Sequence, residues 1–222
     1  GILRFVYRAV GPRSRDPAVL ALPPNQIFSA ANIGPTGFQF DQTGRDTDFY
    51  LAEQSLDAFY ASLDVVWRED WRFTLGARQE DNFQLVANGD PTQPGAEITE
   101  ARIEGKDLLP SASVTWIRSD QDQFRLGYSE TLSRPDFREL SAAPFTDPLL
   151  DTETIGNPEL VATAIRNYDL RWEYYFSDSD SFTASLFAKQ FDQPIERVLV
   201  PGTGELLTYV NVESAELRGI EF

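Results

Sequence analysis

Apolar and polar residues alternate along much of the chain. In "DAFYASLDVVW", Phe59, Ala61, Leu63, Val65 and Trp67 share one parity, and Tyr60, Ser62 and Asp64 share the other. A period of two is the repeat of a β-strand with one face buried or bathed in an apolar medium. The polar triplet Arg68, Glu69 and Asp70 follows. "WRFTLGAR" then repeats the code, with Trp71, Phe73, Leu75 and Ala77 against Arg72, Thr74, Gly76 and Arg78. Two such runs around a polar triplet predict a β-hairpin.

Two more hairpins follow. Ala112, Val114 and Trp116 lead through "IRSDQDQ" to Phe124, Leu126 and Tyr128, with Arg125 on the opposite side. Tyr168, Leu170, Trp172, Tyr174 and Phe176 oppose Asp169, Arg171 and Glu173. They lead through "SDSDS" to Phe182, Ala184, Leu186 and Ala188, opposite Lys189. A seventh strand is expected within "LTYVNVESAELRGIEF". The end of an eighth is expected in "ILRFVYR", with Leu3, Phe5 and Tyr7 on one side.

The connections alternate in length. Those around Glu69, Asp120 and Asp178 are short. Those over 9–47, 85–108 and 133–165 are long, with a lesser one near Val200. The pattern therefore predicts an antiparallel up-and-down sheet with its long loops on one side. Long structureless loops are uncommon in compact domains and usually functional.

Such strands fit a soluble sandwich or a membrane barrel. The aromatics favour the barrel, because they flank the short turns on the apolar face: Trp67 with Trp71, Trp116 with Phe124, Phe176 with Phe182. A soluble core would draw its rings to mid-strand, whereas an interface belt places them at strand ends. Apolar runs of about 9–11 residues match a tilted spanning strand.

Composition excludes several chemistries. The chain has 222 residues, no cysteine and no histidine. Disulfides, thiolate metal sites, His-ligated zinc and His-based triads are thereby absent. A formal net charge of -16 argues against nucleic acid as a partner. No apolar stretch reaches the roughly 18 residues of a membrane helix, which says nothing against a barrel. The chain lacks methionine, opens on Gly1 and has strand-like residues at both ends. A segment of a longer protein is expected.

"LGYSETLSRPDFREL", "GNPEL" (Gly156 to Leu160), "NYDLRWEYYF" and "FAKQFDQPIE" occur in this order. With "LDAFYASLDVVWREDWRFTLGARQED", they resemble the β-barrel region of TonB-dependent receptors, in the form common in Caulobacter- and Xanthomonas-like bacteria. The resemblance runs from about Tyr50 to Phe222. It implies about seven or eight strands of a 22-stranded outer-membrane barrel, with periplasmic short turns and extracellular long loops. The other strands and an N-terminal plug domain would lie outside this sequence. The implied partners are outer-membrane lipid and lipopolysaccharide, the plug, the TonB complex and a small-molecule nutrient. The nutrient class implied is an iron–siderophore chelate or an oligosaccharide, with cobalamin-type ligands a further possibility. The implied role is transport, not catalysis, and no cofactor or metal is called for. A passive porin and a soluble all-β carbohydrate-binding module remain as alternatives.

The candidate residues fall into three sets. Loop positions Arg134, Asp136, Arg138, Asp147, Asp151 and Glu153 are placed to contact substrate, or to rigidify the loop by pairing. Asp64, Arg72, Arg78, Arg125, Asp169, Arg171, Glu173 and Lys189 are expected to face the lumen, where they pair across strands or meet the plug. Trp67, Trp71, Trp116, Phe124, Phe176 and Phe182 are expected at the membrane interface. The carboxylates of "TDPLLDTETIGNPE" lack the spacing of a known calcium loop. Glu130 shares parity with Leu126 and Tyr128, which requires it to lie at the outer interface or after a bulge. Arg134-Pro135 is expected to end its strand, and "PDFREL" to form a helical turn starting at Pro135.

Overall fold

A computed structural model describes residues 7–11, 16–42, 50–89, 98–147, 152–177, 179–202 and 206–222. The chain divides into two compact units, residues 1–51 with 88–98, and residues 52–87 with 99–222. Among the described residues no helix is long and apolar enough to cross a membrane.

In the first unit, β1 (Tyr7–Val10) pairs antiparallel with β2 (Gln39–Gln42). Between them lie α1 (Pro17–Leu20) and α2 (Pro24–Ile27). The Asp16 side chain caps α1 by accepting from the Ala18 N–H at 2.9 Å. Val19 and Phe38 are buried, and Phe28 packs on Phe38 at 5.5 Å between ring centroids. The expected eighth barrel strand is thus corrected: Tyr7–Val10 belongs to this two-stranded sheet, while Leu3 and Phe5 lie outside the described residues.

The second unit holds long strands. In chain order they are β3 (Tyr50–Trp67), β4 (Trp71–Asn88), β5 (Thr99–Ser119) and β6 (Asp122–Ser133). Helix α3 (Phe137–Leu140), β7 (Phe145–Asp147) and β8 (Thr152–Thr154) follow. Then come β9 (Thr163–Tyr175), β10 (Ser181–Asp192), β11 (Ile195–Leu199), β12 (Leu206–Asn211) and β13 (Ser214–Glu221). Seven of these form one open sheet in the order β13-β10-β9-β6-β5-β4-β3. The fold is all-β and antiparallel, as the alternation predicts. Arg68 and Glu69 turn the first hairpin within the three-residue connection 68–70, with φ of 56° and 60° in the left-handed region.

Three boundaries differ from the sequence reading. The loop expected over 85–108 is mostly strand, because β4 runs to Asn88 and β5 begins at Thr99. Asp81 ahead of that span and Arg102, Glu104 and Lys106 within it put charge on the otherwise apolar face, so the alternation signal fades there. The expected seventh strand is two elements, β12 and β13, which belong to different sheets. The helical turn starts two positions later than expected, at Phe137 in place of Pro135. Asp136 is its N-cap, with Glu139 returning the bond to the Asp136 N–H in a full capping box, and Pro135 precedes the cap.

Register organises the apolar face into transverse rows. Val114, Leu126, Leu170, Leu186 and Ile220 are direct neighbours across five strands. The next row toward the long loops is Ala112, Tyr128, Tyr168, Ala188 and Arg218. Toward the short turns, Trp116, Phe124 and Trp172 are direct neighbours. No second layer covers this face among the described residues: Trp67, Leu75, Leu126 and Leu170 are 51%, 54%, 55% and 43% exposed. A sandwich would bury them.

Candidate functional site

The loop after β6 is anchored at Arg134 and Pro135. Arg134 is only 13% exposed at its side chain and bridges two strands, giving Nη1 to Glu80 Oε2 at 2.7 Å and Nη2 to Asp107 Oδ2 at 2.7 Å. Arg78 Nε holds the other Glu80 oxygen at 2.7 Å. Gln84 Nε2 donates to the Pro135 carbonyl at 2.8 Å. Glu80, Asn82 and Gln84 therefore form a buried polar strip on the polar face of β4. Two guanidiniums beside Glu80 hold its carboxyl below the usual carboxylate range. Its strand neighbours Gln79 and Asp81 lie beyond the apolar belt.

Above the clamp, the loops after β6 and after β10 form one folded body. Leu140 and Leu160 are buried. Gly156 donates to the Ser141 carbonyl at 3.0 Å, and Asn157 to the Glu139 carbonyl at 2.6 Å. A Cβ at Gly156 would meet the Ser141, Arg138 and Glu139 carbonyl oxygens at 2.3–2.6 Å, so only glycine fits. Strand β8 pairs parallel to β12, joining the loop after β6 to the loop after β10 in a sheet ordered β11-β12-β8-β7. Asn157 Nδ2 reaches the Tyr209 carbonyl at 3.0 Å, and Asn211 Oδ1 accepts from Val161 at 2.9 Å. "SRPDFREL" and "GNPEL" are thus two halves of one lock. Under it lies a hollow of about 340 Å³ lined by Thr163, Ile165, Phe191, Pro194, Ile195 and Glu196, among others.

At the short-turn end of the polar face a second network forms. Arg72 makes a bidentate contact with Asp64, with Nη2 to Oδ2 at 2.6 Å. Arg125 gives Nε to Thr115 Oγ1 at 3.2 Å. Glu173 collects Arg171 Nε at 3.1 Å, Tyr175 Oη at 2.7 Å and the Gln123 amide. Arg125 and Arg171 are direct neighbours in register, and the Thr115 and Glu173 acceptors offset their repulsion. On the apolar face, the rings of Trp71, Trp116, Phe124, Trp172, Phe182 and Phe222 touch in succession at 5.8–6.5 Å. Phe176 lies beside this ribbon against Tyr174 at 5.0 Å, and Arg68 covers Trp67 at 4.6 Å.

The expected residues thus separate. Asp64, Arg72, Arg78, Arg125, Asp169, Arg171, Glu173 and Lys189 share the polar face by parity and register. Their ion pairs also run along single strands, as in Arg78–Glu80 and Arg171–Glu173, where cross-strand ladders were expected. Among the loop set, Arg134 is a clamp and Asp136 a helix cap. Arg138 is exposed over the Phe145 ring at 5.5 Å. Glu153 is half-buried in β8. Asp147 ends β7, its side chain undescribed, and Asp151 lies outside the described residues. Sequence reasoning missed Glu80, Asp107 and Gln84. Their polar-face parity was visible, but no local signal pairs them with a loop about 27–54 residues away. No group of three or more Asp and Glu residues is placed to hold a metal ion among the described residues.

Residues 10–222 match the family described as TonB dependent receptor-like, beta-barrel. The chain belongs to that family. Solved receptors share the fold. A double mutant of the Serratia marcescens hemophore receptor HasR, in complex with its hemophore HasA and heme, superposes with a TM-score of 0.60 at 14% identity, over 82% of this chain and 33% of that one. The ferric-catecholate import receptor Fiu of E. coli K12 gives 0.56 at 13% identity, over 85% and 27%. The siderophore receptor PirA of Pseudomonas aeruginosa gives 0.50 at 14% identity, over 83% and 41%. The chain therefore spans roughly a third of these receptors' length. A search of curated proteins finds no match. The open seven-stranded sheet is accordingly an arc of a TonB-dependent receptor barrel, a family of outer-membrane transport receptors.

Proposed function

We propose that the chain is part of a bacterial outer-membrane receptor for TonB-energised uptake of a scarce nutrient, with an iron–siderophore chelate as the leading cargo. The observation carrying the reading is the family match over residues 10–222. The similar solved receptors are a siderophore receptor, a ferric-catecholate import receptor and a hemophore receptor bound to heme, and they set the leading cargo here. An oligosaccharide is the second reading: the hollow beneath the loop lock has an aromatic wall at Phe191 and a carboxylate at Glu196, and sugars stack on rings while donating hydroxyls to carboxylates. The ordered "SRPDFREL" and "GNPEL" pieces support the Caulobacter- and Xanthomonas-like subgroup.

In this reading the ring-bearing face meets lipid and the charged face meets the lumen and the plug. The sheet closes with further strands, because lipid leaves no water for unpaired edges. The short turns are periplasmic and the loop body extracellular. Arg138 and Glu153 on that body contact cargo, while Arg134 keeps the body seated on the wall. The full-length protein tests this. A strain depending on it for growth on a ferric chelate should stop growing when the inner-membrane energy source is removed. Unchanged uptake without that energy would indicate a passive porin. Growth loss on an oligosaccharide alone would select the second cargo.

A further inference from the structure

We infer that the sheet, above its apolar belt, holds a slot for one extended segment of a polypeptide at the cell surface, which adds as a strand to the free edge of β5. This rests on the reading of the loop end as extracellular. Pairing of β5 with β6 ends at Ser111 and Ser129, and β6 itself ends at Ser133 beside Thr163. Continued, that register would bring Ser133 level with Asp107. Strand β5 nevertheless runs on to Thr99. Over 99–106 no strand lies on its β6 side, and no backbone hydrogen bond is made there among the described residues.

A hollow of about 260 Å³ opens where β6 would continue. Ile103, Gly105 and Asp107 line one side, and Leu160, Val161 and Ala162, which lead into β9, line the other. Lower down β6 separates β5 from β9, so the two walls stand two strand spacings apart, roughly 9.6 Å. That is room for one strand. Every charge on the hollow is already matched: Arg102 holds Glu104 at 3.0 Å, and Arg134 holds Asp107 at 2.7 Å. Asn82 Nδ2 donates to the Ile103 carbonyl at 3.3 Å, and its Oδ1 accepts from Gln54 at 3.3 Å.

What remains unmatched is main chain, because alternate residues of a strand turn their N–H and C=O groups to each side. An ion or a charged headgroup finds no free partner here, whereas an unpaired edge is a template for another strand. Main-chain bonds then give affinity and side-chain alternation gives selectivity. On the lumen side the occupant would meet half-buried Ile103 and buried Leu160, so aliphatic residues fit there. Gly105 leaves open space, since a Cβ would meet only the Asp107 carboxylate at 3.7–3.8 Å, and a bulky residue fits opposite it. Outward, the occupant lies level with the Arg102–Glu104 pair and is polar. Those charges hold this part of β5 out of lipid, so the partner arrives from water.

The test is hydrogen exchange on the full-length receptor in mild detergent. The probe is a short peptide of alternating valine and threonine, and the control is the same peptide N-methylated at every amide. The probe should slow exchange over 99–106 at least about tenfold, and the control should leave it unchanged. Glu104→Pro and Gly105→Pro delete successive N–H groups, one facing the slot and one facing β4. The slot-facing proline should abolish the protection while heat-modifiable mobility shows an intact barrel, and it decides the matter even where the other variant fails to fold. Slow exchange over 99–106 in the receptor alone would show that its own chain fills the slot, and would overturn the proposal. So would equal protection by the methylated peptide, no protection by the probe, or full protection in both proline variants. Each of these leaves the transport reading intact, which falls instead on uptake that needs no energy.

Discussion

The two ends of the sheet are stabilised by different physics. At the short-turn end, strands are set by register and solvent: ring sits on ring from Trp71 to Phe222, with no single contact indispensable. At the loop end, order depends on particular atoms. Arg134 reaches Glu80 and Asp107, and Gly156 lies under three carbonyls. Many interchangeable contacts tolerate substitution, and a few unique ones do not.

That contrast can be broken most forcefully at the clamp. Arg134→Ala leaves Glu80 without one of its two cations in a site 10% exposed. The cost should be about 3 kcal/mol, the low end for a disrupted buried pair because Asp107 is one-third exposed. Limited proteolysis of the full-length barrel should then cut within 134–162 while the sheet survives. Undisturbed protection there would remove the clamp from the account. Gly156→Ala should follow, at about 1–3 kcal/mol for overpacking against backbone that cannot yield. Denaturant melting and hydrogen exchange at Ser141 and Asn157 measure it.

Acid sharpens the same difference. The Glu80 carboxyl titrates below its unfolded value, so its contribution is full at neutral pH and is lost as pH falls through the depressed folded value. Loop exchange should rise on acidification below about pH 4, ahead of any change at Leu126 or Leu170. Simultaneous loosening of both ends would show that the ends are one cooperative unit.

At the short-turn end the effects should be smaller. Trp116→Leu removes two ring contacts and should cost about 0.5–1.5 kcal/mol per aromatic pair lost, read by refolding into lipid vesicles. Smallest of all is Asp64→Asn. The Asp64–Arg72 pair is exposed on both sides, 40% and 57%, and its loss should leave the unfolding midpoint within error. A clear shift would mean that the pair is covered in the complete barrel.

The alternation of Phe59 to Trp67 and Trp71 to Ala77 determined strands, hairpins and faces without any coordinates. A side-chain period of two admits one face per parity, and the solvent on each side selects residue type. Ring placement at turns was legible for the same reason. The family resemblance added that the sheet is an arc of a receptor barrel. The sequence could not show where β4 and β5 stop, because Asp81, Arg102, Glu104 and Lys106 put charge on the parity that is apolar nearer the short turns. Nor could it show that Arg134 is a clamp, that "GNPEL" locks onto "FREL", or that β8 joins β12. Those contacts link residues about 15 to 54 positions apart. Spacing along a chain carries no record of which distant carbonyl or carboxylate a side chain meets, and only the closed tertiary packing decides it.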